Sequence, residues 1–254
     1  MKIIVPVKLV PDLVEELTID DSGAALDTAW LRLIINEFDD HALEQAILLK
    51  EKFGGEVTIF SPDAEGVDDL LFTAAARGAD RLVKLVGDFS NGVNNHALAR
   101  ALVPIVQNMQ ADLVLTGVQA HNDLDGSLGP LLAESLGFPY VGYVAGVSLD
   151  GGKVRVEKEY PGGLIVEIEV TLPAVLGIQA AEQPPRYVAV SKVRQMMKTA
   201  SIEEQEIDSL NLVGSATISR MFQPEAAARA TMLADDPNQA ATEMVALFKE
   251  LGVL

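Results

Sequence analysis

The sequence predicts a three-layer α/β fold built on a mostly parallel sheet, with antiparallel strands added in its middle and an arm at its end. Three observations carry that expectation. Short β-branched apolar runs alternate with helical patterns as far as Leu136, the order that builds a parallel sheet covered on both faces. Beyond Leu136-Gly137 the pattern changes to apolar–polar alternation broken by glycine turns, which marks antiparallel hairpins. After Gln183-Pro184-Pro185 the composition loosens into short segments divided by polar and proline breaks.

Lys2 to Val7 is continuous and β-branched, so it reads as a buried first strand. Lys8 to Asp12 leaves it, and Leu17 to Ile19 followed by Asp20-Asp21-Ser22-Gly23 suggests a short strand and turn. Leu31 to Ile35 is apolar, and Asn36 is a candidate cap for a helix. From Asp39 to Phe53, Ala42, Leu43, Ala46, Ile47 and Leu49 recur at helical spacing, and Gly54-Gly55 ends the run. Glu56 to Phe60 is a strand, Ser61 to Gly66 a loop, Val67 to Arg77 a helix stopped by Gly78, and Arg81 to Val86 a strand. A helix follows from about Asn95 to Gln110; Pro104 inside it is expected to bend it or to mark its true start. Leu113 to Thr116 is the next strand, and Ser127 to Leu136 the next helix.

Tyr140 to Leu149, Lys153 to Tyr160 and Leu164 to Val170 read as strands joined by turns at Asp150-Gly151-Gly152 and Pro161-Gly162-Gly163. Ala174 to Ile178 is a last apolar strand. Val188 to Met197 suits a short helix carrying a local basic cluster of Lys192, Arg194 and Lys198, whereas Ser201 to Ser209 is acidic and poorly patterned. Breaks fall at Phe222-Gln223-Pro224 and Asp235 to Asn238, and Gln239 to Leu251 is an amphipathic helix with Met244, Val245, Leu247, Phe248 and Leu251 apolar. An arm with such a helix needs a surface to bury against, on its own body or on another chain.

Composition narrows the function. Hydrophobic residues make up 49% of the 254 residues, enough for a sizeable core, and 19 basic against 37 acidic residues give a net charge of −18. So acidic a chain argues against nucleic acid and anionic membranes as partners. The absence of cysteine excludes disulfides, a thiolate nucleophile and cysteine-ligated metal. No apolar stretch approaches the roughly 18 residues of a membrane span. Met1 to Val5 runs straight into a strand and lacks the features of a secretory leader, so a cytoplasmic setting is expected.

The chain is organised around Gly117 to Gly129, a polar glycine-containing loop between an apolar strand and a helix. A helix entered this way points unpaired N–H groups and partial positive charge at its start, where a phosphate can sit. Ser127 is a candidate cap, and Pro130 fits the first turn. An ordinary strand-to-helix connection remains the alternative. In parallel sheets ligands lie beyond the carboxyl ends of the strands, an edge that also gathers Lys8 to Asp12, Asn36 to Asp39 and Ser61-Pro62.

No catalytic constellation stands out. His41, His96 and His121 are scattered. Asp39-Asp40 suits the acidic first turn of a helix, and Asp123-Leu124-Asp125-Gly126 lacks the long acidic register of a calcium loop. No metal site is expected. The glycine-rich dinucleotide fingerprint and the Gly-Lys-Ser/Thr phosphate loop are both absent.

A set of segments across residues 1 to 198 resembles the β subunit of electron transfer flavoproteins: Val5-Pro6-Val7-Lys8 with Pro11-Asp12, Ile35 to Asp39 with Ala42 to Ala46, Ala75 to Arg81, Asp112 to Ala120, Leu172 to Val175, and Pro185-Arg186-Tyr187. The resemblance implies an adenine-nucleotide-hydrolase-like fold and an electron carrier rather than an enzyme. It implies a heterodimer with an α subunit that holds most of one FAD. The β subunit would close over that flavin and bury an AMP, or a second FAD in electron-bifurcating members; AMP is the expectation here.

Carried onto this chain, the nucleotide would lie against Pro6, Asn36, Glu37, Phe38, Asp39, Pro62 and the loop Gly117, Val118, Gln119, Ala120, His121, Asn122, Asp123, Leu124, Asp125, Gly126, Ser127 and Leu128. Leu13 and Phe38 correspond to positions that approach the α-subunit flavin. Residues 1–185 would form the nucleotide-binding domain, and 186–254 a recognition loop and C-terminal arm that packs on the partner subunit. The recognition loop, Arg186, Tyr187, Val188, Ala189, Val190, Ser191, Lys192, Val193, Arg194 and Gln195, would dock on an acyl-CoA-type dehydrogenase, with Val190 where the family usually has leucine. The nucleotide loop departs from the family at Asn122 and Leu124, usually acidic, and at Ser127-Leu128, usually Gln-Thr. Two other readings are a free-standing adenine-nucleotide sensor and an enzyme that activates a substrate with ATP, for which Lys8 is the one nearby basic candidate.

Overall fold

A computed structural model describes residues 1–87, 94–150, 153–207, 216–224, 230 and 232–254. The first half contains β1 (Lys2–Pro6), β2 (Leu9–Pro11), β3 (Leu33–Ile35), α1 (Glu37–Phe53), β4 (Glu56–Pro62), α2 (Val67–Arg77), β5 (Arg81–Val86), α3 (Asn95–Met109) and β6 (Leu113–Gly117). The second half contains α4 (Leu128–Leu136), β7 (Tyr140–Asp150), β8 (Lys153–Tyr160), β9 (Leu164–Val170), β10 (Ala174–Ile178), α5 (Val190–Thr199), β11 (Ile202–Glu206) and α6 (Pro237–Glu250).

One nine-stranded sheet runs in the order β11-β5-β4-β1-β6-β10-β7-β8-β9. Pairing is parallel from β11 to β7, and β7, β8 and β9 form antiparallel hairpins beyond it. The expected mixed, mostly parallel sheet is therefore present. Because successive strand residues point to opposite faces, the continuous apolar run of β1 feeds two cores. Ile3 and Val5 pack with Ala42, Leu43, Ile47 and Leu71 beneath α1 and α2, while Ile4 packs with Leu98, Leu102 and Leu132 beneath α3 and α4. Strand β2 pairs with β3 in a separate two-stranded ribbon, Leu9 opposite Ile35. The expected short strand before Asp20 reduces to a single bridge between Ile19 and Leu26.

Several expectations are corrected. Helix α3 starts at Asn95 and continues past Pro104 to Met109, so the proline does not mark its start. Leu98, Leu102 and Val106 are buried along its inner side while Pro104 is exposed, so the backbone bond that proline cannot make is lost on the side open to water. The acidic stretch after Ser201 contains an edge strand, β11, parallel to β5 with Glu203 opposite Val83 and Glu204 opposite Lys84. Its acids meet the basic residues of β5: Arg81 takes Glu203 at 2.7 Å and Lys84 takes Glu204 at 3.1 Å. The sheet thus draws a strand from beyond residue 185. Helix α6 starts at Pro237, because the Asp236 side chain caps the amides of Asn238 and Gln239, and none of its residues is buried. The expected turn at Gly151-Gly152 lies outside the described residues.

Candidate functional site

The carboxyl ends of β1 and β6 meet the start of α1, and a single carboxylate joins them. Asp39 accepts the Lys8 amide at 3.0 Å and the Gly117 amide at 3.1 Å. The helix can approach this closely because residue 117 has no side chain: a Cβ there would stand 2.8 Å from the Asp39 amide nitrogen. Burial pushes the Asp39 carboxyl up to about 6, against the opposing pull of the Lys8 charge and of the two amides. Asn36 occupies the N-cap position of α1 without capping it. Its Nδ2 instead donates to the Gln119 carbonyl at 3.0 Å, tying the loop to the helix start.

The loop after β6 is held by its own acids. Asp123 receives the Lys8 ammonium in an ion pair whose two side chains are both only 11% exposed. It also accepts Asn95 Nδ2 at 2.8 Å and the Ala120 amide at 2.8 Å. Asn95 reaches the Gly126 carbonyl at 2.7 Å as well, and Asp125 takes the His96 amide at 3.2 Å. Thus α3 supplies the loop's second wall, a role that nothing in the spacing of Asn95 signalled.

Between these walls lies a cavity of about 20 Å³, the room of a single water. Of the residues expected at a nucleotide, Pro6, Asn36, Asp39, Gly117, Gln119, Asp123 and Leu128 line it. Val7, Lys8, Leu98 and Thr116 line it too. Pro62, Val118 and Ala120 are buried nearby but do not line it, and Glu37, His121, Asn122, Leu124 and Gly126 are exposed. Phe38, Asp125 and Ser127 are half-buried outside it, and Leu13 is 59% exposed on the loop after β2.

Two features leave polar groups open at this edge. Ser127 stands at the N-cap of α4 but makes no capping bond, a correction to the expected cap. Among the described residues no hydrogen bond is taken from the amides of Gly126, Ser127 or Leu128. Thr116 is 1% exposed, and its Oγ1 has no partner although it stands among the lining residues. A polar residue in an otherwise apolar strand was the available signal for Thr116. A larger cavity, about 360 Å³, opens away from the loop between α3 and β11, lined by Phe60, Arg81, Pro104 and Glu206 among others.

The segment expected to dock a partner is half clamp and half helix. Arg186 turns inward: Nε donates to the Glu44 carboxylate at 2.8 Å, and its terminal nitrogens take both oxygens of Glu51. Those bonds, Glu51's first, raise its pKa further above the usual arginine value. The backbone amide of Arg186 also donates to Glu44. Val188 and Val193 are half-buried, and Tyr187, Ala189, Val190, Ser191, Lys192, Arg194 and Gln195 are exposed. Among the described residues no group of acidic, histidine or cysteine side chains could hold a metal, and no helix is long and apolar enough to cross a membrane.

These features define an α/β protein whose candidate site is a polar loop and helix start at the carboxyl edge of a parallel sheet. Comparison with known proteins agrees with that class: the electron transfer flavoprotein domain matches residues 26–210. Electron transfer flavoprotein subunit beta of Methylophilus methylotrophus is 32% identical over 262 residues, covering 98% of each chain. The subunit beta of Thermoanaerobacterium thermosaccharolyticum is 34% identical over 85% of each chain, and that of Bacillus subtilis is 30% identical over 93% of this chain and 91% of its own. The chain belongs to the electron transfer flavoprotein family, among its β subunits.

Proposed function

We propose that this chain is the β subunit of a heterodimeric electron transfer flavoprotein, a cytoplasmic carrier that passes electrons from an acyl-CoA-type dehydrogenase to a membrane-bound or soluble acceptor. FAD, held mainly by the α subunit, supplies the redox chemistry, and an AMP in this subunit serves a structural role. The observation that carries the reading is the edge of β6: a buried Thr116 hydroxyl without a partner beside the open amides of Ser127 and Leu128. That donor set fits a phosphate. Asn36, Asp39, Pro6 and Gln119 frame the remainder of the pocket. The volume enclosed is far below that of a nucleotide, so admission requires the Lys8–Asp123 bridge between two of the lining residues to part.

The apolar side of α6 supports the partner. Met244, Val245, Leu247, Phe248 and Leu251 are all at least 37% exposed, an apolar face that remains largely open among the described residues. Co-expression with the α subunit followed by native purification tests the whole reading. A yellow complex is expected, and its denaturing extract should contain both FAD and AMP by mass spectrometry. A colourless complex would refute the carrier role. An extract with two flavins and no AMP would replace the structural nucleotide by a second redox centre.

A further inference from the structure

We infer that Lys8 is the countercharge of the nucleotide's phosphate: as the nucleotide enters, the Lys8 ammonium leaves Asp123 and turns to the phosphate. This role rests on the nucleotide site proposed above and falls to a residue outside those expected to touch the nucleotide. The charge lining the cavity requires it. Among the described residues Lys8 is the only cation that lines the cavity, and it shares that wall with two carboxylates, Asp39 and Asp123. With both ionised, the wall is net negative before a phosphate arrives. The Thr116 hydroxyl and the Leu128 amide can donate hydrogen bonds to a phosphate, yet they bring no net charge. The cavity measures about 20 Å³, and the Lys8 and Asp123 side chains are both 11% exposed, so salt and water screen little there. A multiply charged anion enters such a wall only with the ammonium beside it.

The geometry leaves the lysine free to change partners. Its backbone is fixed at both polar groups: the amide donates to Asp39 at 3.0 Å, and the carbonyl accepts the Asn36 amide at 3.0 Å. The root of the side chain therefore stays in place, and only the flexible four-carbon stem has to move. Asp123, for its part, does not depend on the ammonium. It also accepts Asn95 Nδ2 at 2.8 Å and the Ala120 amide at 2.8 Å. Both bonds remain when Lys8 turns away, so the acid keeps its place in the loop and stays hydrogen-bonded. On the phosphate side, the Thr116 hydroxyl is 1% exposed and without a partner, an unused donor on the same cavity as the ammonium.

A fixed structural bridge predicts something different. If the Lys8–Asp123 pair only braced the pocket, loss of either partner would loosen it, and both variants would release nucleotide faster. If the pair yields its lysine to the phosphate, Asp123 competes with the ligand. Removing the Asp123 charge then favours retention, while removing Lys8 weakens it. The two halves of one ion pair act on the nucleotide with opposite sign.

The test uses the complex with its α subunit, its bound AMP exchanged against radiolabelled AMP. Lys8→Met should release AMP at least about tenfold faster than wild type. Asp123→Asn should release it at the wild-type rate or more slowly. Because Lys8→Met strands the Asp123 charge, the double variant Lys8→Met/Asp123→Asn, which leaves the net charge unchanged, asks the same question without that penalty. It should still release AMP faster than Asp123→Asn alone. The phosphorus-31 resonance of its bound AMP should titrate at higher pH than in wild type, since a nearby ammonium favours the dianion. Lys50→Met, which breaks an ion pair with Asp80 outside the cavity, should leave exchange unaltered. A flavin spectrum equal to wild type shows that each variant assembles. Faster release from both Lys8→Met and Asp123→Asn, or equal exchange and equal phosphate titration in wild type and double variant, would overturn the role of Lys8 and leave the nucleotide site standing. A wild-type complex without AMP would sink the site itself, and Lys8 with it.

Discussion

Gly117 and Asp39 are fitted to one another: the glycine donates its amide to the carboxylate at 3.1 Å, and any Cβ it carried would collide with the backbone of the helix that bears the acid. Gly117→Ala therefore forces α1 away from the end of β6. Because the neighbours it meets include backbone atoms of Phe38 and Asp39, no side-chain rotation relieves the clash. A loss of about 1–3 kcal/mol is expected, read as a lowered urea midpoint. A midpoint equal to wild type would show that the two elements are not in contact as described.

The same carboxylate imposes a pH dependence of uncommon sign. An aspartate usually stabilises a fold more when ionised, but burial raises Asp39 from 3.8 to about 6. The folded state then holds its proton more tightly than the unfolded chain. The contribution of Asp39 is full below pH 3.8, declines as pH rises through the window to about 6, and stays flat above it. The change amounts to about 3 kcal/mol across that window. Asp39→Asn removes the titration, so the stability difference between wild type and variant should drift by that amount from acid to neutral pH. Urea titrations at several pH values measure it, and a constant difference would rule out the shift.

Much of this architecture was legible because it rests on periodicity. Continuous β-branched runs such as Ile3-Ile4-Val5 have one stable placement, between two helical layers, and the bounds of α2 and β5 follow from Gly78 and the flanking loops. Elements held by charge were harder to read. Strand β11 pairs through Glu203 and Glu204 with Arg81 and Lys84, contacts that a polar sequence does not announce as strand. At the site, the loop and the helix start were visible as strand–glycine–helix order. The anchor that shapes it, Asn95 on α3, depends on contacts across the fold. Asn36 and Ser127 occupy cap positions, yet neither forms the capping bond that local chemistry suggested.

Arg186, at the head of the segment expected to dock a partner, is clamped to α1. Its Glu44 partner is 1% exposed while Glu51 is 54% exposed. Arg186→Ala takes the guanidinium away from the buried Glu44 and leaves that carboxylate only the backbone amide of residue 186, which costs about 3 kcal/mol. Glu51→Ala removes only an exposed half of the fork and should cost less than about 1 kcal/mol. Hydrogen exchange should report the first loss locally, as faster exchange of the Ala181, Glu182 and Arg186 amides that lie on α1. Equal costs for the two variants would remove the clamp from the account.

Thr116 separates stability from ligand binding most cleanly. Its Oγ1 is buried without a partner, pressed towards Gly129, whose added Cβ would come within 2.6 Å of it. A hydroxyl in that state costs the chain about 1–3 kcal/mol of desolvation unless something bonds to it. Thr116→Val keeps the branched shape and deletes the group, so the chain without nucleotide should become more stable by about 1 kcal/mol. If the hydroxyl serves a nucleotide, the purified complex should at the same time retain less AMP after dialysis, with the flavin spectrum unchanged. A gain in stability with full AMP retention would place the phosphate elsewhere. A loss in stability would mean that Thr116 already has a partner within the fold.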